Sequence, residues 1–189
     1  MKIFIIHGAL GSPEDNWFPY LKSELEKRWH RVFVLHFPAP PEHNLNNWLA
    51  TFREYEKEVG ADSVFVGHSL GCPFIVDWLA AKKKKIRAGL FVAPFYGNLG
   101  LKRFDSINTT FFYEINWNLI KRRIANRVCY ISEDDSIVHT PLALGFAGKT
   151  GSEKVIFPHA GHFNQSAGYR TFPELLAKVL EFSHGTTLI

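Results

Sequence analysis

The residues best suited to chemistry are Gly67-His68-Ser69-Leu70-Gly71. They follow the apolar run Val64-Phe65-Val66 directly and lead into a helix-forming segment. A serine at such a strand–turn–helix junction sits in strained backbone geometry with its hydroxyl lifted clear of the sheet. The helix start also points N–H groups at the place where an oxyanion would form. The flanking glycines remove side chains that would clash with the neighbouring helix and strand. A serine hydroxyl is a weak nucleophile without a base, and the base needs an orienting acid. Later in the chain, Val128-Cys129-Tyr130-Ile131 is followed by Glu133-Asp134-Asp135, and Val155-Ile156-Phe157 by His159-Ala160-Gly161-His162. An acid and a histidine therefore follow two later strand-like runs, in the order serine, acid, histidine. His162 lies in a glycine-flexed loop that can carry its ring over the serine; His159, beside Pro158, reads as a strand-end residue. From the residues alone Glu133, Asp134 and Asp135 all remain open as the acid. The chemistry is attack on an ester, thioester or activated amide carbonyl. Its oxyanion would be held by the N–H of Leu70 and of Ala9, in the loop after the first strand-like run.

Short apolar, β-branched runs alternate with helix-length segments. Strands are expected at Ile3–Ile6, Val32–Leu35, Ser63–Val66, Ala88–Val92, Arg127–Ile131 and Lys154–Phe157; they lack strict alternation, as strands covered on both faces do. Helices are expected from Ser12-Pro13 through Leu25 and Trp29, over Leu45–Val59, over Ser69–Lys82 and over Pro173–His184. This order predicts an α/β fold: a three-layer α/β/α sandwich around a mainly parallel sheet of about six strands. In open sheets of this kind ligands bind beyond the carboxyl ends of the strands, where the serine, acid and histidine would all lie. The 189 residues suit one domain, 1–189. Residues 94–117 form an aromatic-rich excursion too long for an ordinary connection; two readings stay open, a small cap whose aromatics wall an acyl pocket, or aromatics that pack on the sheet. Trp17, Phe95 and Phe163 are the expected pocket residues.

The composition is 46% hydrophobic and 21% charged, and the formal net charge is +4. That fits a globular chain and lacks the blocked charge of a nucleic-acid tail. The run Lys82–Lys85 falls at a helix end, where cations suit the helix dipole. Two cysteines, Cys72 and Cys129, make no disulfide framework. No stretch is long enough for a membrane span or reads as a signal peptide, so a cytoplasmic setting is expected. His30, His36, His43 and His184 have no metal-ligand spacing, and no metal or cofactor is expected. Gly8-Ala9-Leu10-Gly11-Ser12 lacks both the lysine of a phosphate loop and a G-x-G-x-x-G pattern. The expected partner is a small ester or amide; a protein partner is not readable from the residues. The competing reading is a catalytically idle protein-binding module, which would have no need of serine, acid and histidine together.

Gly-His-Ser-Leu-Gly, Ser-Glu-Asp-Asp-Ser-Ile-Val and Ala-Gly-His-Phe resemble the α/β-hydrolase superfamily. With the opening His7-Gly8, Ser12-Pro13 and Trp17, the chain is similar to its small serine hydrolases of the YdeN and retinoblastoma-binding-protein-nine type. The resemblance implies Ser69 as nucleophile, His162 as base and Asp135, the second Asp of the pair, as acid. It departs at Ser136 and His139, where that group often has proline.

Overall fold

The computed structural model describes residues 1–183; His184, expected to end the last helix, lies outside them. Along β1 (Lys2–Ile6) Ile3 and Ile5 face one side and Phe4 and Ile6 the other, as the period of a strand requires. Both sides are buried, which is why the run is continuously apolar. β2 (Arg31–Leu35), β3 (Val64–His68), β4 (Ile86–Val92), β5 (Ile124–Ser132) and β6 (Glu153–Phe157) complete one sheet in the order β2-β1-β3-β4-β5-β6. Every adjacent pair is parallel. α1 (Phe18–Glu26) and α7 (Pro173–Ser183) cover one face through Leu21, Leu25, Leu175 and Val179. The opposite face is covered by α2 (Leu45–Arg53), α3 (Gly71–Ala81), α5 (Trp117–Arg123) and α6 (Thr140–Thr150). The expected three-layer α/β/α sandwich is the observed fold. Among the described residues no helix is long and apolar enough to cross a membrane.

Strand order reverses between β1 and β3, where ligands of open α/β sheets bind. Pairing of Ile6 with Gly67 sets the loop after β1 beside the turn after β3. Glycines allow the approach. A Cβ on Gly71 would stand 2.3 Å from the Ile6 carbonyl oxygen, and one on Gly8 would stand 2.9 Å from Ser69 Cβ. Backbone cannot retreat as a flexible side chain can. Gly71→Ala is therefore expected to cost about 3 kcal/mol, at the top of the usual overpacking range. Urea denaturation measures it, and an unchanged midpoint would show that the contact between β1 and α3 is looser than described.

Several elements differ from expectation. α1 begins at Phe18, not at Ser12-Pro13, because the Asp15 carboxylate accepts the Ser12 N–H at 2.7 Å and closes a turn there. Trp29 is not on the helix's apolar face; it lies beyond the end of α1 at φ 62° and is 95% exposed. α2 stops at Arg53 and a separate 3-10 turn spans Glu56–Glu58. α5 and α6 lie outside the expected helices, although Asn116 caps the first and Gly151, at φ 66°, ends the second. Lys82 pairs with Glu56 and Lys84 Nζ donates to the Val59 carbonyl, both around the end of α3.

The excursion after β4 is ordered and contains α4 (Lys102–Asp105). Its Phe111 and Ile115 join the core. Tyr96 Oη donates to Asp77 Oδ1 at 2.8 Å and Tyr113 Oη to the Asp77 carbonyl at 3.2 Å, which pins the excursion onto α3. Burial holds the Asp77 carboxyl well above the usual carboxylate range.

Candidate active site

Ser69 has φ 53°, the left-handed region that non-glycine residues avoid. Its N–H donates to the Val92 carbonyl at 2.9 Å, so β4 holds the strained turn in place. The side chain reaches a cavity of about 310 Å³ at the carboxyl ends of the strands, whose wall also includes Ala9 and His162. Ser69 Oγ has no hydrogen-bond partner among the described residues, so its hydroxyl is free to turn toward a ligand or the imidazole.

His162 Nδ1 lies 2.8 Å from Asp135 Oδ2. Asp135 is 4% exposed, and its Oδ1 accepts the N–H groups of Ile137 at 2.8 Å and Val138 at 3.0 Å. A carboxylate oxygen only accepts, so Nδ1 carries the proton and Nε2 keeps its lone pair for the cavity. Asp134 does different work. Its Oδ1 accepts from the Gly161 N–H at 2.8 Å, the Ala160 N–H at 3.1 Å and Ser132 Oγ at 2.6 Å. These hydrogen bonds, the Ser132 hydroxyl's most of all, hold its carboxyl down at about 2. Asp134 thus anchors the loop that carries His162. Glu133 is exposed, and His159 is exposed beside Asp134.

The same loop is held from two more directions. His68 Nε2 donates to the His162 carbonyl at 2.8 Å, and the two rings pack 4.8 Å apart. Trp17 Nε1 donates to the Phe163 carbonyl at 3.0 Å. Trp17 and Phe163, expected in the pocket, are fully buried and stand outside the cavity wall. Their rings are used behind it, packing on Phe172 and fixing the loop. Of the expected pocket residues only Phe95 lines the cavity, joined by Leu99, Phe104 and Ile137 on the apolar side and Asn164 and Gln165 on the polar side.

Ala9 lines the cavity, and Leu70 stands at the N-cap of α3 with its side chain buried. The Gly8 carbonyl receives the Gly11 N–H at 3.2 Å and His7 Nδ1 at 2.7 Å. Across a trans peptide the Ala9 N–H then points the opposite way. His7 Nε2 accepts the Phe37 N–H at 3.0 Å, which leaves the proton on Nδ1. Sequence reasoning missed His7, because its role depends on Phe37, a residue of another connection. Among the described residues no group of His, Cys, Asp and Glu is arranged to hold a metal ion.

His7 and His68 are neutral in the folded chain. Burial lowers the first from 6.5 to about 4 and the second from 6.5 to about 3. Unfolded, both take up a proton near the ordinary histidine value. Their contribution to stability is therefore complete above about pH 6.5 and is lost as pH falls through the interval down to the folded values. By linkage each ring costs about 2 kcal/mol between pH 8 and pH 5. Urea midpoints across that range are expected to fall steadily; a flat profile would show that the rings are protonated in the fold.

A family model described as serine hydrolase matches residues 3–181. YdeN of Bacillus subtilis (strain 168), whose name assigns it to the hydrolases, is 28% identical over 175 residues, covering 91% of this chain and 90% of the relative. The crystal structure of the ydeN gene product from B. subtilis superposes with a TM-score of 0.90 at 24% identity, covering 96% of this chain and 98% of that one. A YdeN-like hydrolase from Pectobacterium atrosepticum gives a TM-score of 0.73 at 17% identity, with 96% and 90% covered.

Proposed function

Because the chain belongs to the serine hydrolase family and is an enzyme, we propose that it cleaves a small ester, thioester or activated amide through an acyl-enzyme on Ser69. The observation that carries this reading is the 2.8 Å contact between His162 and the buried Asp135, at a cavity that His162 shares with the strained Ser69. Ser69 Oγ attacks the carbonyl carbon as its proton passes to His162 Nε2. Asp135 keeps the tautomer correct and stabilises the imidazolium that forms. The N–H groups of Ala9 and Leu70 receive the charge on the carbonyl oxygen, each worth about two to three orders of magnitude in rate. The protonated His162 then hands its proton to the leaving group. Water, activated by the same imidazole, attacks the acyl-enzyme and releases the acid.

His7 and His68 serve this reaction as positioning residues: one turns the Ala9 peptide, the other ties the His162 loop to the turn that carries the nucleophile. Because both are neutral, they add no positive charge that would compete with the imidazolium of His162. A fluorophosphonate probe tests the reading. One adduct, on Ser69, is the expected result; labelling elsewhere, or none in folded protein, would remove Ser69 from the mechanism.

A further inference from the structure

We propose that Asn108 binds the substrate's acyl chain, donating a hydrogen bond to an oxygen within it. The enzyme would then prefer short, non-anionic acyl groups carrying an ether, hydroxyl or keto oxygen over plain alkyl groups. The proposal rests on Ser69 as the acylated residue and names the class of acyl group that site takes.

Asn108 is 1% exposed yet contributes to the cavity wall, which it shares with Phe95, Leu99, Phe104 and Ile137. A buried polar side chain in an apolar wall is costly unless it is used. Its backbone is already satisfied: the N–H donates to the Phe104 carbonyl, and the carbonyl accepts the Phe111 N–H, both at 3.0 Å. Its side-chain Oδ1 lies 3.0 Å from His43 Nε2. An amide oxygen only accepts, so His43 supplies the proton and the amide –NH2 is turned away from it. That –NH2 has no protein acceptor among the described residues.

The donor is also held rigidly. The His43 ring packs against Trp48 at 5.5 Å and Phe111 at 5.3 Å, and Thr110 Oγ1 accepts the Leu45 N–H at 2.9 Å beside it. His43 Nδ1 is buried with no partner, so the pair is not optimised for stability. A preorganised donor costs little entropy when a ligand arrives. An alkyl chain against Asn108 would strip its water and return nothing, whereas an oxygen at that point restores the bond. No lysine or arginine lines the cavity among the described residues, whereas Asp15 does, which leaves nothing to neutralise an anionic acyl group.

The test uses p-nitrophenyl hexanoate and its 3-, 4- and 5-oxa analogues, which place one ether oxygen at successive positions of a chain of equal length. Each kcat/KM is divided by the ester's rate with hydroxide, to cancel intrinsic reactivity. The wild-type enzyme is expected to favour one oxa position over hexanoate by about tenfold, the worth of one well-made hydrogen bond. Asn108→Leu is expected to invert that order. His43→Leu, which frees the amide to rotate, is expected to erase most of the preference and serves if the first variant does not fold. A wild-type enzyme indifferent to all oxa positions, or a preference that survives in the variants, would overturn the proposal. Absence of turnover with every ester, together with an unlabelled Ser69, would instead overturn the acyl-enzyme reading beneath it.

Discussion

Replacing Ser69 by alanine is expected to lower kcat for a p-nitrophenyl ester by about five to six orders of magnitude, the usual cost of removing a nucleophile from a triad. What remains would come from the oxyanion donors and from binding. The fold should be untouched, because alanine at φ 53° carries the same backbone strain as serine and loses no described hydrogen bond of the hydroxyl. Ser69→Gly offers a sharper version. Glycine tolerates the left-handed region, so this variant is expected to be equally inactive but more stable than wild type by about 1 kcal/mol. Stability gained as activity is lost would mark the strain as held for function. Substantial esterase activity in either variant would exclude Ser69 as nucleophile.

Asp135→Asn is expected to lower kcat by about four orders of magnitude with little effect on KM. An asparagine can present its –NH2 to His162 Nδ1, which then accepts and leaves the proton on Nε2, the wrong nitrogen. Asp134→Asn is the control. Its amide oxygen can still accept the Ala160 and Gly161 N–H groups, so the loop keeps its anchor. That variant is expected to lose less than about tenfold, within what a weakened hydrogen bond costs. The pair separates orienting the base from anchoring its loop, a distinction the three adjacent acids conceal. Reversed magnitudes would move the orienting role to Asp134.

The two acids show where sequence reading stops. Both follow β5, both are close to the histidine loop, and both make short hydrogen bonds there. Only the path of the backbone decides that one carboxylate meets an imidazole and the other meets two N–H groups. The resemblance to small serine hydrolases singled out Asp135; spacing did not. Trp17 and Phe163 teach the same lesson. Their contact joins residues 146 positions apart, and both rings pack on Phe172 instead of lining the cavity.

What the amino-acid order by itself determined is local and topological. A strand, a glycine-flanked serine and a helix specify a strained turn wherever they fall. Alternating strands and helices require a parallel sheet, and a parallel sheet delivers the ends of β3, β5 and β6 to one edge. Tertiary structure decided which side chains face the cavity and which support it. His7 acquires its role from Phe37, the His162 loop from Trp17 and His68, and Asn108 its orientation from His43, 65 positions away. The reason is physical: backbone conformation answers largely to neighbours in the chain, whereas the direction of a loop side chain is set by whatever packs against it.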